Sequence, residues 1–391
     1  MNNWLYRLMN LFFFGLVFIL TRQIPFSSFS LLMNISLVGV FLSYFCLYKI
    51  RVAALSLLDE FLVFFIFILI LHLGYSVLLQ SNKLEYSVRF FIIILSILLA
   101  YYLNKIPIRS LYYFVAIVLL QALFVIFVEI ICLFFDNGEN VAILQSIVKF
   151  YEWGSIYSNG TFYHIQIKGN ALLPFTYMVV TIVWVNKRLL RIIFLISTIF
   201  AGNFAFLISI FFFHTLLFLL NLKKNYKSYL KIFVVFLLLI VLSSTIIGFV
   251  IEKINSKLDD SIFERFEQKK YLLDHLTNNP FSILFGNGLG TTLNVQSYTR
   301  DYRDSIYFEI QPLYFLDQMG VILFSFFILL NIGFVYRNYK NYSLLVIYVS
   351  YILYSFSNPY ILDTNHIVVI MVLNIIQYNY LSKCNKWKFT H

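Results

Sequence analysis

The side chains able to do polar chemistry collect in two stretches of the 391 residues. The longer, about Glu252 to Glu309, carries Arg265, Lys269, Asp274, His275, Arg300, Arg303 and Glu309. The shorter, about Asp136 to Gly169, carries His164 and Lys168 and leads into Asn170. Arginine forks hold phosphate oxygens bidentately, and aromatic neighbours such as Tyr298 and Tyr302 offer faces to sugar rings. A carboxylate or imidazole can take a proton from a hydroxyl near neutral pH. These residue types suit a pyrophosphate head group at the outer membrane face, with Arg265, Arg300 and Arg303, and Lys168 and Lys269, as the cations that would bind it. Glu309 is the first choice as base, with His164 and His275 behind it. Asp274 and His275 are adjacent on a helix and point to different sides, so they make no obvious acid–base pair.

Around these residues the longer stretch has its own pattern. Ser261 and Glu264 form an S-x-x-E capping box, and Leu258, Ile262, Phe266 and Leu273 recur at helical spacing, which predicts a surface helix over Ser261–Thr277 ended by Asn278-Asn279-Pro280. Arg265 and Lys269 share a face. A basic face beside an apolar one equally suits a helix resting on anionic lipid headgroups. Next comes Phe285-Gly286-Asn287-Gly288-Leu289-Gly290, whose glycines permit positive φ and a close backbone approach to a ligand. A tight turn explains them as well, and Arg–Asp salt bridges explain Arg300, Asp301, Arg303 and Asp304.

The elements that must position these loops are apolar. Hydrophobic residues make up 61% of the chain and charged ones only 12%, against roughly 25% charged in a soluble domain. Runs of about 20 residues span a ~30 Å hydrocarbon core. The pattern predicts an all-α, polytopic transmembrane bundle of about twelve spans. They are placed near 4–20, 29–48, 57–79, 88–103, 111–135, 170–186, 189–201, 203–221, 229–251, 310–335, 342–357 and 361–381. The first, with Arg7 inside it and no small-x-small site before Pro25, reads as an uncleaved helix. Drawn as one helix, Ile192 to Leu220 would run about 43 Å. The basic flanks Lys187-Arg188 and Lys223-Lys224 ask for the same side, so two short helices or a re-entrant pair broken at Gly202-Asn203 are expected.

The positive net charge of +11 points to orientation rather than nucleic acid. Most Lys and Arg fall on the side of the N-terminus, where Asp59 and Glu60 are the acidic residues, so both termini are expected to be cytoplasmic and both long connections external. The chain then divides into helices one to nine over 1–251 with the 136–169 connection, a large loop over 252–309, and three helices with a basic tail over 310–391. Cys46, Cys132 and Cys384 build neither a disulfide framework nor a zinc pattern. No metal and no cofactor are expected. Glu129 and Asp317, at outer ends of spans, could bond a neighbouring helix or line a headgroup path. His72, His214 and His366 read as packing residues.

The chain resembles the O-antigen polymerase and O-antigen ligase superfamily, specifically the Wzy-type polymerases. The resemblance rests on Arg265, Pro280, the run Leu284-Phe285-Gly286-Asn287-Gly288-Leu289-Gly290, and the segment from Gly160 to Asn170 that ends in Gly-Asn at a helix start. Ligases carry a His-Asn pair where this chain, counted back from Gly320, has Glu309 and Ile310; this favours polymerase. The resemblance implies a GT-C-like membrane fold in a bacterial inner membrane. It also implies a glycosyltransferase of lipopolysaccharide and surface polysaccharide synthesis. Such an enzyme would move a glycan from an undecaprenyl-pyrophosphate donor to another lipid-linked repeat unit at the periplasmic face, with a chain-length regulator as a possible partner. Gly286, Gly288 and Gly290 would bring amides to the diphosphate. The alternatives are an O-antigen ligase, a flippase or transporter of the same lipid-linked sugars, and a structural scaffold. A flippase is expected to line a central cavity with charge, whereas here the polar residues gather in the loops.

Overall fold

The computed structural model describes residues 2–21, 29–48, 56–134, 138–151, 153–158, 163–220, 264–296, 301–306, 308–356 and 358–381. Long helices dominate: α1 (Asn2–Leu20), α2 (Phe29–Tyr48), α3 (Leu57–Leu78), α4 (Leu84–Ala100) and α5 (Ile108–Phe134). A second group of helices comprises α6 (Gly138–Phe150), α7 (Leu172–Val183), α8 (Arg188–Phe200) and α9 (Phe204–Leu220). The last third holds α10 (264–277), α11 (Pro280–Phe285), α12 (Gln311–Asn338), α13 (Tyr342–Phe356) and α14 (Thr364–Ile376). Five of them, α1, α2, α3, α5 and α12, are long and apolar enough to cross a membrane, which makes this a membrane-embedded helical protein. The expected span at 229–251 lies outside the described residues.

Among the shorter helices, α7 and α14 work as core. Nine consecutive residues of α7, Leu172 to Val180, are buried, and so is all of α14. A helix apolar all round must be surrounded on every side, and these two are walled in by α4, α5, α9 and α13. Between α8 and α9 the chain turns at residues 201–203, where the expected break at Gly202-Asn203 falls.

Local signals fix the ends. Ser56 caps α3 in a reciprocal box with Asp59, leaving Asp59 free to bind Arg337 Nη1 at 2.7 Å and Tyr102. That clasp ties the starts of α3 and the last turn of α12 to the chain just past α4. Asp363 caps α14, and Asn279 with Pro280 starts α11.

Two expectations need correcting. The 136–169 connection is not a plain loop, nor is the fold purely helical: it holds α6 and an antiparallel hairpin, β1 (Gly154–Ser158) with β2 (Tyr163–Ile167), in which Tyr157 faces His164. Short strands among apolar runs leave a weak trace in hydropathy. Second, the stripe of Phe266 and Leu273 does not seat α10. Phe266 is exposed, and the buried face is Glu264, Gln268, Leu272 and Leu276, a spacing of four. Two of those four are polar, so hydrophobic periodicity cannot find the face; Ser261, Leu258 and Ile262 lie outside the described residues.

Candidate functional site

At the end of the bundle opposite the Asp59–Arg337 clasp, α10 lies across the entry to α12. Its buried polar residues are satisfied by the segment beneath. Glu264 accepts from the Tyr302 hydroxyl, Gln268 Nε2 donates to the same oxygen at 2.7 Å, and Gln268 Oε1 accepts from the Glu309 amide at 3.0 Å. Tyr302 stacks on Phe308 with ring centroids 5.3 Å apart, and Phe308 on Tyr314 at 4.5 Å. The Tyr314 hydroxyl donates to Thr291 O at 2.6 Å. This aromatic column holds the chain that delivers Glu309.

On that support Arg265 Nε meets Glu309 Oε2 at 3.1 Å, with side chains 42% and 21% exposed. The hairpin of the shorter connection comes to the same place. Burial first, and the negative charge of Glu309 second, push the Tyr157 phenol above its usual range, so Tyr157 stays a neutral donor. Its ring lies 5.2 Å from that of His164. His164 in turn fills the space over Gly202 in the α8–α9 turn, where a Cβ would overlap the imidazole. Arg265 and Glu309 thus form an ion pair in the longer stretch and Tyr157 and His164 a ring pair in the shorter, with the charge of Glu309 felt at Tyr157.

His275 belongs to a second cluster. It sits ten residues from Arg265, about 15 Å along α10 at 1.5 Å per residue. Its Nδ1 donates to the carboxylate of Asp317, 3.0 Å from each oxygen, and Asp317 is fully buried. Asn287 Nδ2 reaches Asp317 Oδ1 at 2.8 Å and His275 O at 3.2 Å. The sequence reading weighed for Asp317 a bond to a neighbouring helix against a headgroup path, and the structure shows the bond; that its partner is His275, 42 residues away in the chain, has no local signal.

The glycine run serves this second cluster. The amide of Gly286 donates to Ser282 O, Asn287 N to Asp317 O at 2.8 Å, and Gly288 N to Gln318 O at 3.1 Å. Leu289 N donates to Ser76 Oγ and Gly290 N to Gln318 Oε1, each at 2.7 Å. All five amides are thus engaged within the protein, and the backbone approaches α12 at Gly286, Ser76 of α3 and Asn82 at Gly288, and the start of α4 at Gly290. α12 is itself broken at Gly320, φ 66° and ψ 173°, where Gly286 abuts it so tightly that a Cβ on Gly286 would stand 2.5 Å from Gly320 N.

The other expected site residues are placed as follows. Arg303 is exposed and grips Asp301 through Nε and Nη2, with Nε–Oδ1 at 2.9 Å; the guanidinium pulls Asp301 down to about 2. Lys269 is exposed on the outer side of α10. Asn170 is buried, donating to Ile165 O at 2.7 Å and accepting from Gln121 at 3.0 Å, so it anchors the hairpin to α5. Lys168 begins a short 3-10 turn, Lys168–Ala171. Arg300 lies outside the described residues. Tyr157 and Gln268 were missed by the sequence reading. For Tyr157 the signal was present, since Asn159-Gly160 between alternating residues favours a hairpin.

Among the described residues no group of three or more His, Cys, Asp or Glu is placed to hold a metal ion. No protein-family model, no curated protein and no solved structure matches the chain.

Proposed function

We propose that the protein is a surface-polysaccharide polymerase of the Wzy type, a glycosyltransferase that joins undecaprenyl-pyrophosphate-linked repeat units at the outer face of a bacterial inner membrane. The observation that carries this reading is the Arg265–Glu309 ion pair at one end of an apolar bundle, with the charge of Glu309 felt by Tyr157 of the other polar connection. A lipid-linked diphosphate has its charge at that level while its chain stays among the helices.

The ion pair supplies a means of exchange. An incoming diphosphate competes for the Arg265 guanidinium, which binds phosphate oxygens in the same fork geometry. Glu309, released from its partner, is then available to take the proton of an acceptor sugar hydroxyl. The acceptor oxygen forms a bond to the anomeric carbon as the bond from that carbon to the diphosphate oxygen breaks. The electron pair leaves on the diphosphate, where Arg265 stabilises it. Tyr157, a neutral phenol beside Glu309, donates a hydrogen bond to the sugar or the leaving oxygen. His275, about 15 Å along α10, is too far to share the reacting atoms, which must approach within about 3.5 Å. It acts by fixing α10 on α12.

The test is surface-polysaccharide length on a gel, in cells lacking the protein and complemented with wild type, Arg265→Ala or Glu309→Ala at matched membrane levels. The expected result is core bearing a single repeat in the null and in both variants. A null with no repeat on the core would replace polymerase by ligase or flippase, and full ladders from both variants would remove these residues from the mechanism.

A further inference from the structure

The shorter polar connection does not stand above the bundle. It folds back beside α5. Trp153 rests on Phe124 with ring centroids 6.0 Å apart, Tyr163 N donates to Glu129 Oε1 at 2.9 Å, and Gln121 bonds Asn170 at 3.0 Å. Phe124 lies ten residues before Phe134, the last residue of α5, so the connection returns about 15 Å along that helix. α5 is long and apolar enough to cross a membrane, and its outward side chains at this level, Phe127, Ile130, Leu133 and Phe134, are exposed.

α6 stands in that returned segment and carries two apolar stripes. Val141 and Val148, with Leu144 partly buried between them, pack inward towards β1. Ile143, Ile147 and Phe150, at spacings of four and three, share the outward face and are 57%, 43% and 79% exposed. The outward stripe ends in an aromatic group in which Phe150 meets Tyr151 and Tyr151 meets Trp153. Amphipathic aromatic rings of this kind collect at membrane–water interfaces.

We propose that α6 is a membrane-anchoring helix, its Ile143, Ile147 and Phe150 face embedded in the acyl-chain boundary of the leaflet into which the upper part of α5 emerges. The occupant is lipid because α6 follows α5 in the chain, its far end is tied through Tyr151 and Trp153 to the level of Phe124, and the side chains α5 exposes beyond that level are apolar. A helix with one face on protein and the other among acyl chains lies in the interface rather than across it. The anchor fixes the hairpin that bears Tyr157 and His164 at the height where a lipid headgroup sits. The inference depends on the membrane fold and not on the reaction proposed above.

The experiment uses the full chain in lipid nanodiscs, with Cys46, Cys132 and Cys384 replaced by Ala. A nitroxide is placed at Ile143→Cys, Ile147→Cys or Phe150→Cys, with Lys270→Cys on exposed α10 as the aqueous reference. Expected are high collision rates with oxygen and several-fold lower accessibility to a water-soluble nickel chelate than at position 270. Nickel accessibility equal to that reference at all three sites overturns the proposal. So do labels shielded from both reagents that keep their spin–spin coupling on dilution with lipid, since a second copy would then cover the face. If the cysteine-free chain does not fold, Ile147→Trp in the native chain gives the same answer. Brominated acyl chains should quench its added fluorescence, and absence of that quenching overturns the proposal.

Discussion

Replacing Gly286 by Ala tests whether the glycine run is a packing joint. Gly286 has φ 77° and ψ 174°, a region open essentially to glycine alone, and an L-residue held there costs of order 1–3 kcal/mol. The added Cβ would overlap Gln318 O and stand 2.5 Å from both Gln318 C and Gly320 N. These are backbone atoms of a fully buried stretch of α12, so the loop rather than the helix must yield. Withdrawal of the loop loosens the Asn287 N to Asp317 O and Gly288 N to Gln318 O bonds, each contributing about 1 kcal/mol net. The sum is about 3–5 kcal/mol. Gly74→Ala is the control: nothing lies within 4 Å of a Cβ there, and Ala in an exposed helix position is favoured by about 1 kcal/mol over Gly. Thermal unfolding of both variants in one detergent, followed by tryptophan fluorescence, should show Gly286→Ala melting well below wild type and Gly74→Ala at or above it. Equal melting of Gly286→Ala and wild type would refute the account of the joint, and with it the reason given for Gly320.

Removing Arg265 or Glu309 should abolish chain extension with little effect on melting, because a half-exposed pair contributes only about 0–1 kcal/mol; a large drop in melting temperature would show the pair to be structural. For the second cluster, His275→Ala, Asp317→Asn and the double variant form a mutant cycle whose coupling in unfolding free energy should be about 0.5–3 kcal/mol, and strict additivity would dissolve the contact. The Asp301–Arg303 grip should be insensitive to pH between 5 and 8: Asp301 is depressed to about 2, so the ordering it gives is present above the normal carboxylate range and fades only as pH falls towards 2. The Asp301 carboxyl carbon shift in a labelled sample reports this, and titration near pH 4 would contradict the geometry. Tyr157→Phe should lower chain extension while keeping the hairpin, since the ring stacks on His164 through its face; an unchanged ladder would remove the hydroxyl from the mechanism.

How much of this was legible beforehand depended on the range of the signal. Long apolar runs announced α2 and α3 almost to the residue and α5 and α12 to within three residues, because hydropathy is local and summed over many positions. The break between α8 and α9 was expected from basic flanks, and Arg265 was singled out by residue type and Glu309 by its place just before a span; that the two pair was not foreseen. What was not legible was partnership. Gln268 looks like an ordinary surface residue until Tyr302 and the Glu309 amide are seen to need it. Asp317 looks like an anomaly in a helix until His275 and Asn287 arrive from the loop. The glycines were read as permitting close approach, but sequence cannot say to what, and the partners are α12 at Gly286, α3 at Gly288 and α4 at Gly290.

The pairing of Arg265 with Glu309 is best understood as a resting state whose strength suits replacement. A buried ion pair would resist opening, since parting it strands a charge at a cost of about 3–5 kcal/mol. This pair is 42% and 21% exposed, so water can solvate either partner as it leaves. A diphosphate bound by the guanidinium gains hydrogen bonds to charged groups of about 1.5–3 kcal/mol each, more than the half-exposed pair offers. Under the proposed function, exchange would therefore run towards the donor complex and part the carboxylate from Arg265 only when a donor is present. Glu309 itself does not drift when freed, because Gln268 holds its amide at 3.0 Å and Phe308 before it is locked between Tyr302 and Tyr314. The aromatic column thus confers on a loop residue the fixed position that chemistry at one atom demands.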